Sequence, residues 1–207
     1  MRTDTFCGGI AETNGYLLTD GREAVAFDAP EGMADFLDAR LRESGAKLAA
    51  LLLTHGHWDH IVDAAAIRER FKAPVMIHRD CARLLEQPAV QAAFNPFVEV
   101  LPCIPDRRLD AETKLELGPF CFGLLLCPGH CPGSLCFHYA AKQWLFGGDV
   151  LFAGGVGRWD LPGGSQKALI ASIREKIFAL PEDTKVFPGH GPATTVGRER
   201  RGNPYVH

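Results

Sequence analysis

Residues 51–60, LLLTHGHWDH, form the most informative stretch of this chain. His55, His57, Asp59 and His60 follow directly on an apolar run, although the 207 residues contain only eight histidines. Imidazoles crowded together repel one another when protonated and need hydrogen-bond partners when buried, so packing alone does not account for the cluster. A bound metal ion does account for it, and further ligands are then expected elsewhere in the chain.

Three more segments place a potential ligand just beyond an apolar, strand-like run. LLLCPGH ends on His130, WLFGGD on Asp149 and KVFPGH on His190, each beside a glycine. Loops at one end of a rigid sheet commonly carry function, so we expect these side chains to lie close together. Histidine and carboxylate donors suit zinc, iron(II) or manganese. Seven ligands are too many for one four-coordinate ion and suit two ions that share a carboxylate.

Size and composition are those of one ordinary globular domain, which we expect to span residues 1–207. Lys and Arg number 22 against 25 Asp and Glu, a net charge of −3, which offers no general attraction for nucleic acid or for an anionic membrane. No apolar segment has the length of a signal peptide or a membrane span, so the seven cysteines are expected to be reduced thiols in a cytoplasmic protein.

The order of predicted elements favours an α/β fold with helices outside two groups of strands. GYLLTD, EAVAFDA and KLAALLLT are typical of strands, and so are APVMIH and the three runs between residues 120 and 149. Helices are predicted over residues 33–45, 60–71, 79–87 and 165–181 from apolar residues at helical spacing. Residues 88–119 are rich in proline and turn-forming residues, and we expect this segment, with FNPF and PCIPD, to supply apolar contacts to the substrate.

The motif His55-x-His57-x-Asp59-His60, followed by His130, Asp149 and His190, resembles the metallo-β-lactamase fold superfamily. The segments GGDVLFAGGVGRWDLPGG and PGHGPATTVGRERRGNP are similar to those of its short glyoxalase II-like hydrolases, which lack a C-terminal helical glutathione-binding domain. The resemblance implies an αββα sandwich of two mixed sheets with helices on the outer faces.

The same resemblance implies the role of each site residue. His55, His57 and His130 would hold the first metal; Asp59, His60 and His190 the second, with Asp149 bridging. Asp28 would support the ligand loop, Asp59 and Asp149 would be the catalytic carboxylates, and Arg158 and Asp160 would contact substrate. For the last two residues, a salt bridge between them is an equally good interpretation.

The implied activity is hydrolysis of a small thioester, such as an S-2-hydroxyacylglutathione, by a hydroxide that bridges two metal ions. Zinc is favoured, with iron or manganese as alternatives, and the protein is expected to be a monomer or homodimer. True β-lactamases are disfavoured, because they generally lack an aspartate equivalent to Asp149. Two alternatives stay open: a persulfide dioxygenase with one iron on His55 or His57, His130 and Asp149, and a metal-binding protein without significant turnover.

Overall fold

A computed structural model describes residues 1–95, 98–110 and 112–206, which form two compact units. The first unit comprises Met1–Asp110 with Leu117–Pro119, and the second comprises residues 112–116 and 120–206. The expectation of a single domain over 1–207 therefore stays a prediction. Each unit is built on a six-stranded sheet, so the expected pair of mixed sheets with helices is confirmed.

The sheet of the first unit runs in simple sequence order, β1 to β6. Its first three strands are antiparallel neighbours, whereas the pairs from β3 to β6 are parallel. The strands are β1 (Arg2–Gly8), β2 (Thr13–Asp20), β3 (Glu23–Phe27), β4 (Lys47–Leu52), β5 (Val75–His78) and β6 (Arg107–Leu109). Because β3 and β4 are parallel, Asp28 and the histidine loop follow them at the same edge of the sheet.

The helices of the first unit are α1 (Met33–Ser44), α2 (Trp58–Ile61), α3 (Ala64–Phe71) and α4 (Arg79–Glu86), followed by a 3₁₀ turn (Pro88–Gln91). The helix predicted over residues 60–71 is wrong at one point, since the chain breaks between α2 and α3. Asp63 lies at the break: its N–H donates to Ala29 O at 2.9 Å, and its Oδ2 accepts from Ala34 N at 2.9 Å. These bonds, to the segment before α1 and to the first turn of α1, replace continuous helix pairing.

The second unit has a sheet in the order β14-β13-β10-β9-β8-β7 and a separate two-stranded ribbon, β11 with β12. The strands are β7 (Lys114–Leu117), β8 (Phe120–Leu126), β9 (Leu135–Tyr139), β10 (Trp144–Gly148), β11 (Leu151–Phe152), β12 (Gly155–Val156), β13 (Lys185–Pro188) and β14 (Thr194–Thr195). Strands β10 and β13 are parallel neighbours, so Asp149 and His190 emerge at the same edge.

The helical segments of the second unit are a 3₁₀ turn (Ala140–Lys142), α5 (Gln166–Ser172), a π-helical turn (Ile173–Ile177) and α6 (Val196–Gly202). The long amphipathic helix predicted here is confirmed, with Leu169, Ile173 and Ile177 fully buried on its apolar face. Its last part is wider than an α-helix because Phe178 N donates to Ile173 O, five residues back, at 2.8 Å. Strand β1 and helix α6 were not predicted.

Two features bear on the environment of the protein. Among the residues described above, none of the helices combines the length and apolar character needed to cross a bilayer. All seven cysteines are free thiols, and five of them are buried.

Candidate metal centre

Four predicted ligands of the first unit, His55, His57, Asp59 and His60, lie together and are called here the first ligand cluster. The two histidines of the H-x-H motif follow β4, while Asp59 and His60 lie in α2. The ring centroid of His55 lies 4.7 Å from that of His57 and 4.2 Å from that of His60. His60 Nε2 is 3.4 Å from Asp59 Oδ2. A short helix directly after the loop thus brings all four side chains of the motif to one place.

Asp28 holds this cluster through its buried carboxylate, which is 2% exposed. Its Oδ1 accepts from the N–H of Thr54 at 2.8 Å, and its Oδ2 accepts from Thr54 Oγ1 and from His60 Nδ1, both at 2.8 Å. With its proton directed at Asp28, the Thr54 hydroxyl can accept from His55 Nδ1 at 3.1 Å. Both rings therefore carry their proton on Nδ1 and present the lone pair of Nε2.

Thr13 makes a further contact that sequence reasoning missed. This fully buried residue at the start of β2 donates from Oγ1 to Asp59 Oδ2 at 2.7 Å. The bond orients the Asp59 carboxylate from a residue outside α2. No local pattern marks Thr13, because it acts on a residue 46 positions away.

The remaining ligands, His130, Asp149 and His190, lie in the second unit and are called here the second ligand cluster. Asp149 Oδ2 is 3.6 Å from His130 Nε2 and 3.4 Å from His190 Nε2. Gly189 N donates to Gly148 O at 2.8 Å, which ties together the ends of the parallel strands β10 and β13. The three residues predicted from separate strand ends are thus brought together around one carboxylate oxygen.

The orientation of His130 depends on a backbone carbonyl that sequence reasoning also missed. His130 Nδ1 lies 2.7 Å from Arg158 O, and since a carbonyl only accepts, Nδ1 carries the proton and Nε2 the lone pair. The chain can pass this closely only because Gly157 has no side chain: a Cβ there would stand 2.0 Å from Asp149 O and 3.1 Å from His130 Nδ1. Gly157 is the second glycine of the segment GVGRWD.

Both clusters fit a divalent cation. In each, an imidazole lone pair faces a carboxylate oxygen at 3.4–3.6 Å, which is too long for a hydrogen bond and places two acceptors against each other. A tetrahedral ion with bonds of about 2.0–2.1 Å holds neighbouring ligand atoms about 3.4 Å apart. Histidines whose other nitrogen donates to a carboxylate or carbonyl are typical metal ligands. The donor set and its orientation therefore suit metal binding.

Arg158 and Asp160 form a bidentate ion pair on the loop after β12. Arg158 Nε and Nη2 donate to the two carboxylate oxygens of Asp160 at 2.7 and 2.8 Å, and both side chains are more than 60% exposed. The guanidinium lowers the pKa of Asp160 to about 2. The salt bridge anticipated from the sequence is present, and it leaves the outer edge of both side chains open to solvent.

The loop that carries Arg158 is held by the C-terminal helix. Glu199, 2% exposed, accepts from Gly154 N at 2.9 Å, from Thr194 Oγ1 at 2.5 Å and from Asn203 Nδ2 at 2.9 Å. Asn203 Nδ2 also donates to Gly155 O at 2.9 Å. Helix α6 thereby fixes the β11–β12 ribbon, whose far end leads to the carbonyl that orients His130.

The segment expected to supply apolar substrate contacts, residues 88–119, is described only in part. It contains the 3₁₀ turn, β6, β7 and a stretch without regular structure over 98–106, while residues 96, 97 and 111 lie outside the described residues. Val90, Phe94, Leu101 and Ile104 are exposed apolar side chains within it. Their contact with substrate remains a prediction.

Comparison with known proteins defines the class. A family model described as the metallo-beta-lactamase superfamily matches residues 9–190. Hydroxyacylglutathione hydrolase GloC of Haemophilus influenzae is 37% identical over 198 residues, which cover 95% of this chain and 93% of that protein.

Two solved structures are similar over their full length. The crystal structure of the BLEG-1 B3 metallo-beta-lactamase has a TM-score of 0.93 and 40% identity, covering 99% of each chain. The crystal structure of TTHA1623 in a di-iron-bound form has a TM-score of 0.87 and 37% identity, covering 98% of this chain and 99% of that one.

The matched family model and the similar solved structures thus define the class of protein. The chain belongs to the metallo-β-lactamase superfamily, and the predicted family and fold are confirmed. The similarity to a B3 metallo-beta-lactamase gives no support to the expectation that β-lactamase activity is disfavoured, so that expectation stays a prediction.

Proposed function

We propose that this protein is a hydrolase of small thioesters that uses two divalent metal ions. The observation that carries the proposal is the set of Nδ1-anchored histidines, His55, His60 and His130, two of which direct a lone pair towards a carboxylate oxygen. The resemblance to a hydroxyacylglutathione hydrolase supports the substrate class, and the di-iron form of a similar protein supports two ions.

The ligands divide between the ions as the family resemblance implies. His55, His57 and His130 would hold one ion, Asp59, His60 and His190 the other, and Asp149 would be shared. Zinc is the favoured metal, with iron or manganese as alternatives. Such ions supply an activated water nucleophile near neutral pH and polarise the carbonyl under attack.

The side chains around the clusters would hold the metal ligands in the right protonation state and orientation. Asp28, Thr54 and the carbonyl of Arg158 keep the imidazoles in the ligating tautomer, and Thr13 orients Asp59. A thiol leaving group has a pKa of about 8.5, so it departs as thiolate without a proton from a side chain. A thioester therefore suits a site whose carboxylates, Asp59 and Asp149, are committed to metal.

Arg158 and Asp160 would contact the thiol-bearing part of the substrate, the group that leaves when the thioester is hydrolysed. Their mutual pairing and exposure leave N–H donors and carboxylate oxygens able to bind a charged peptide such as glutathione. We expect Arg158→Gln to raise the KM for a glutathione thioester several-fold with little change in kcat. Arg79→Gln, which removes a similarly exposed arginine paired with Asp110, is the matched control and should leave KM unchanged.

The first experiment is metal analysis of protein purified without chelators, followed by steady-state assays. The panel comprises S-lactoylglutathione, a coenzyme A thioester, a cephalosporin and, for oxygen uptake, glutathione persulfide. Nearly two metals per chain with thioester turnover would support the proposal. One iron per chain with oxygen uptake would support the dioxygenase instead, preferential cephalosporin cleavage would support a β-lactamase, and two metals without turnover on any substrate would support a metal-binding protein.

Two further proposals concern the cellular compartment of the protein and its oligomeric state. Seven free cysteines suit a reducing compartment, so we place the enzyme in the cytoplasm. It would act as a monomer or homodimer on a small-molecule substrate without nucleic acid or membrane partners.

A further inference from the structure

Gln91 is a buried amide that joins the 3₁₀ turn of residues 88–91 to the loop of the first ligand cluster. It is 4% exposed. Its Nε2 donates to Gly56 O at 2.9 Å and to Leu84 O at 3.3 Å, while its Oε1 accepts from Trp58 N at 3.0 Å. One side chain thus satisfies three backbone groups from two other segments.

Gly56 and Trp58 are the two neighbours of His57, so the Gln91 amide holds the backbone on both sides of this histidine. The N–H of Trp58 opens α2 and has no acceptor within its own helix, so Gln91 supplies one. The amide can face only one way, because reversal would set its NH2 against the N–H of Trp58 and its oxygen against two carbonyls.

The loop is also seated closely against α4, which fixes where Gln91 can hold it. A Cβ added to Gly56 would lie 2.8 Å from Cys81 O and 2.8 Å from Leu84 Cβ. Leu84 O is the third partner of the Gln91 amide. The Gln91 bonds therefore connect the ligand loop, α4 and the 3₁₀ turn at one buried point.

Asp28 provides no such support to His57, since its bonds go to Thr54 and His60. We propose that Gln91 is the positioning residue for His57: it sets the backbone from which His57 reaches its metal ion. This inference rests on the proposed function, because it takes His57 to be a ligand. It assigns a role to a segment, residues 88–91, that the family motif does not include.

Two variants separate the donor and acceptor roles of Gln91. Gln91→Leu removes both, while Gln91→Glu keeps an acceptor for Trp58 N and loses the donors to Gly56 O and Leu84 O. Asp106→Asn is the control, because Asp106 also bridges two segments of the first unit, through Arg68 and Val75 N, but does not contact the ligand loop.

The first readout is amide hydrogen exchange in metal-free protein. We expect the Trp58 amide to exchange at least tenfold faster in Gln91→Leu and to keep its protection in Gln91→Glu and in Asp106→Asn. The second readout is zinc affinity, measured by competition with a chelator. Loss of a group that orients a ligand typically weakens metal binding about 10- to 100-fold, which we expect for Gln91→Leu but not for Asp106→Asn.

The outcomes distinguish this inference from the proposed function. Wild-type zinc affinity and wild-type Trp58 protection in Gln91→Leu would overturn the positioning role while leaving a two-metal wild-type enzyme intact. Equal losses in Gln91→Leu and Asp106→Asn would also overturn it, since the effect would then be general loss of stability. Failure of the wild-type protein to bind zinc, iron or manganese would overturn the proposed function and this inference together.

Discussion

Asp28 shows how one side chain can prepare several ligands. Its backbone is in the left-handed region, with φ of 58°, which is uncommon for a residue other than glycine. It lies directly after β3, beside the end of β4. From there its two oxygens reach Thr54 and His60, and through the Thr54 hydroxyl they influence His55. A backbone strained at one residue thus supports the tautomers of two histidines.

Replacement of Asp28 by Asn should weaken metal binding without changing any ligand. An amide offers one oxygen to three donors and turns its own N–H groups towards one of them. We expect zinc affinity to fall about 10- to 100-fold, measured by chelator competition. Asp20→Asn, a change at an exposed carboxyl at the end of β2, should leave affinity unchanged; equal affinity in Asp28→Asn and wild type would contradict the positioning role of Asp28.

Gly157 gives a second prediction at the same scale. Gly157→Ala places a methyl group 2.0 Å from Asp149 O, so the backbone beside His130 must move. We expect the free energy of unfolding to fall by about 1–3 kcal/mol, measured by urea denaturation. In the control, Gly155→Ala, the nearest atom to the new methyl is 3.7 Å away, and stability should stay within about 0.5 kcal/mol. Similar losses in both variants would exclude the steric explanation.

At the scale of elements, side chains between helices and strand ends determine where the chain breaks and turns. Asp63 ends α2 by bonding to α1, Glu199 ties α6 to the β11–β12 ribbon, and Asp106 ties α3 to β5. Each is a carboxylate that accepts at least one backbone N–H. These hydrogen bonds connect helices, strands and loops whose mutual contact cannot be predicted from the apolar pattern of the sequence alone.

The Arg68–Asp106 tie predicts a pH-dependent contribution to stability. Hydrogen bonds from Arg68 lower the pKa of Asp106 from 3.8 to about 2. Because the folded-state pKa is the lower one, the contribution is complete above about pH 4 and is lost as the pH falls towards 2. Both side chains are partly exposed, so we expect Asp106→Asn to cost only about 1 kcal/mol at pH 7.

Urea denaturation of wild type and Asp106→Asn at pH 7 and at pH 2.5 measures this contribution. The difference between the two proteins should shrink at the lower pH. Asp160, whose pKa is also lowered to about 2 but whose pair with Arg158 lies within one exposed loop, provides the comparison: Asp160→Asn should have almost no effect on stability at either pH. A difference that grows with acid would contradict the assignment to Arg68–Asp106.

At the scale of the whole molecule, metal binding should be coupled to folding. A ligand that binds only the folded state stabilises it in proportion to the logarithm of its concentration, about 2.7 kcal/mol at 100 times its Kd. For a chain of 207 residues this corresponds to a rise of roughly 5–10 °C in Tm. Differential scanning calorimetry of metal-free protein at increasing zinc concentrations should show this rise.

The matched variant is Asp149→Asn, which removes the carboxylate that His130 and His190 share in the second ligand cluster. Its Tm should respond much less to zinc. A metal-free protein whose Tm does not change with zinc, iron or manganese would argue that both clusters have another role.

The sequence by itself determined those features of this protein that depend on residues close together in the chain. Apolar runs of strand length mark β4, β8, β10 and β13, and the histidines and aspartates directly after such runs mark the predicted ligands. For Asp149 and His190 the reason is that the parallel neighbours β10 and β13 end at one edge of their sheet. Tertiary structure alone decided what orients them. Gln91 acts across 35 residues, Thr13 across 46 and the Arg158 carbonyl across 28, and no periodic pattern encodes such pairs. Tautomer and ligand direction depend on these distant oxygens and amides, which only the folded chain brings within hydrogen-bond distance.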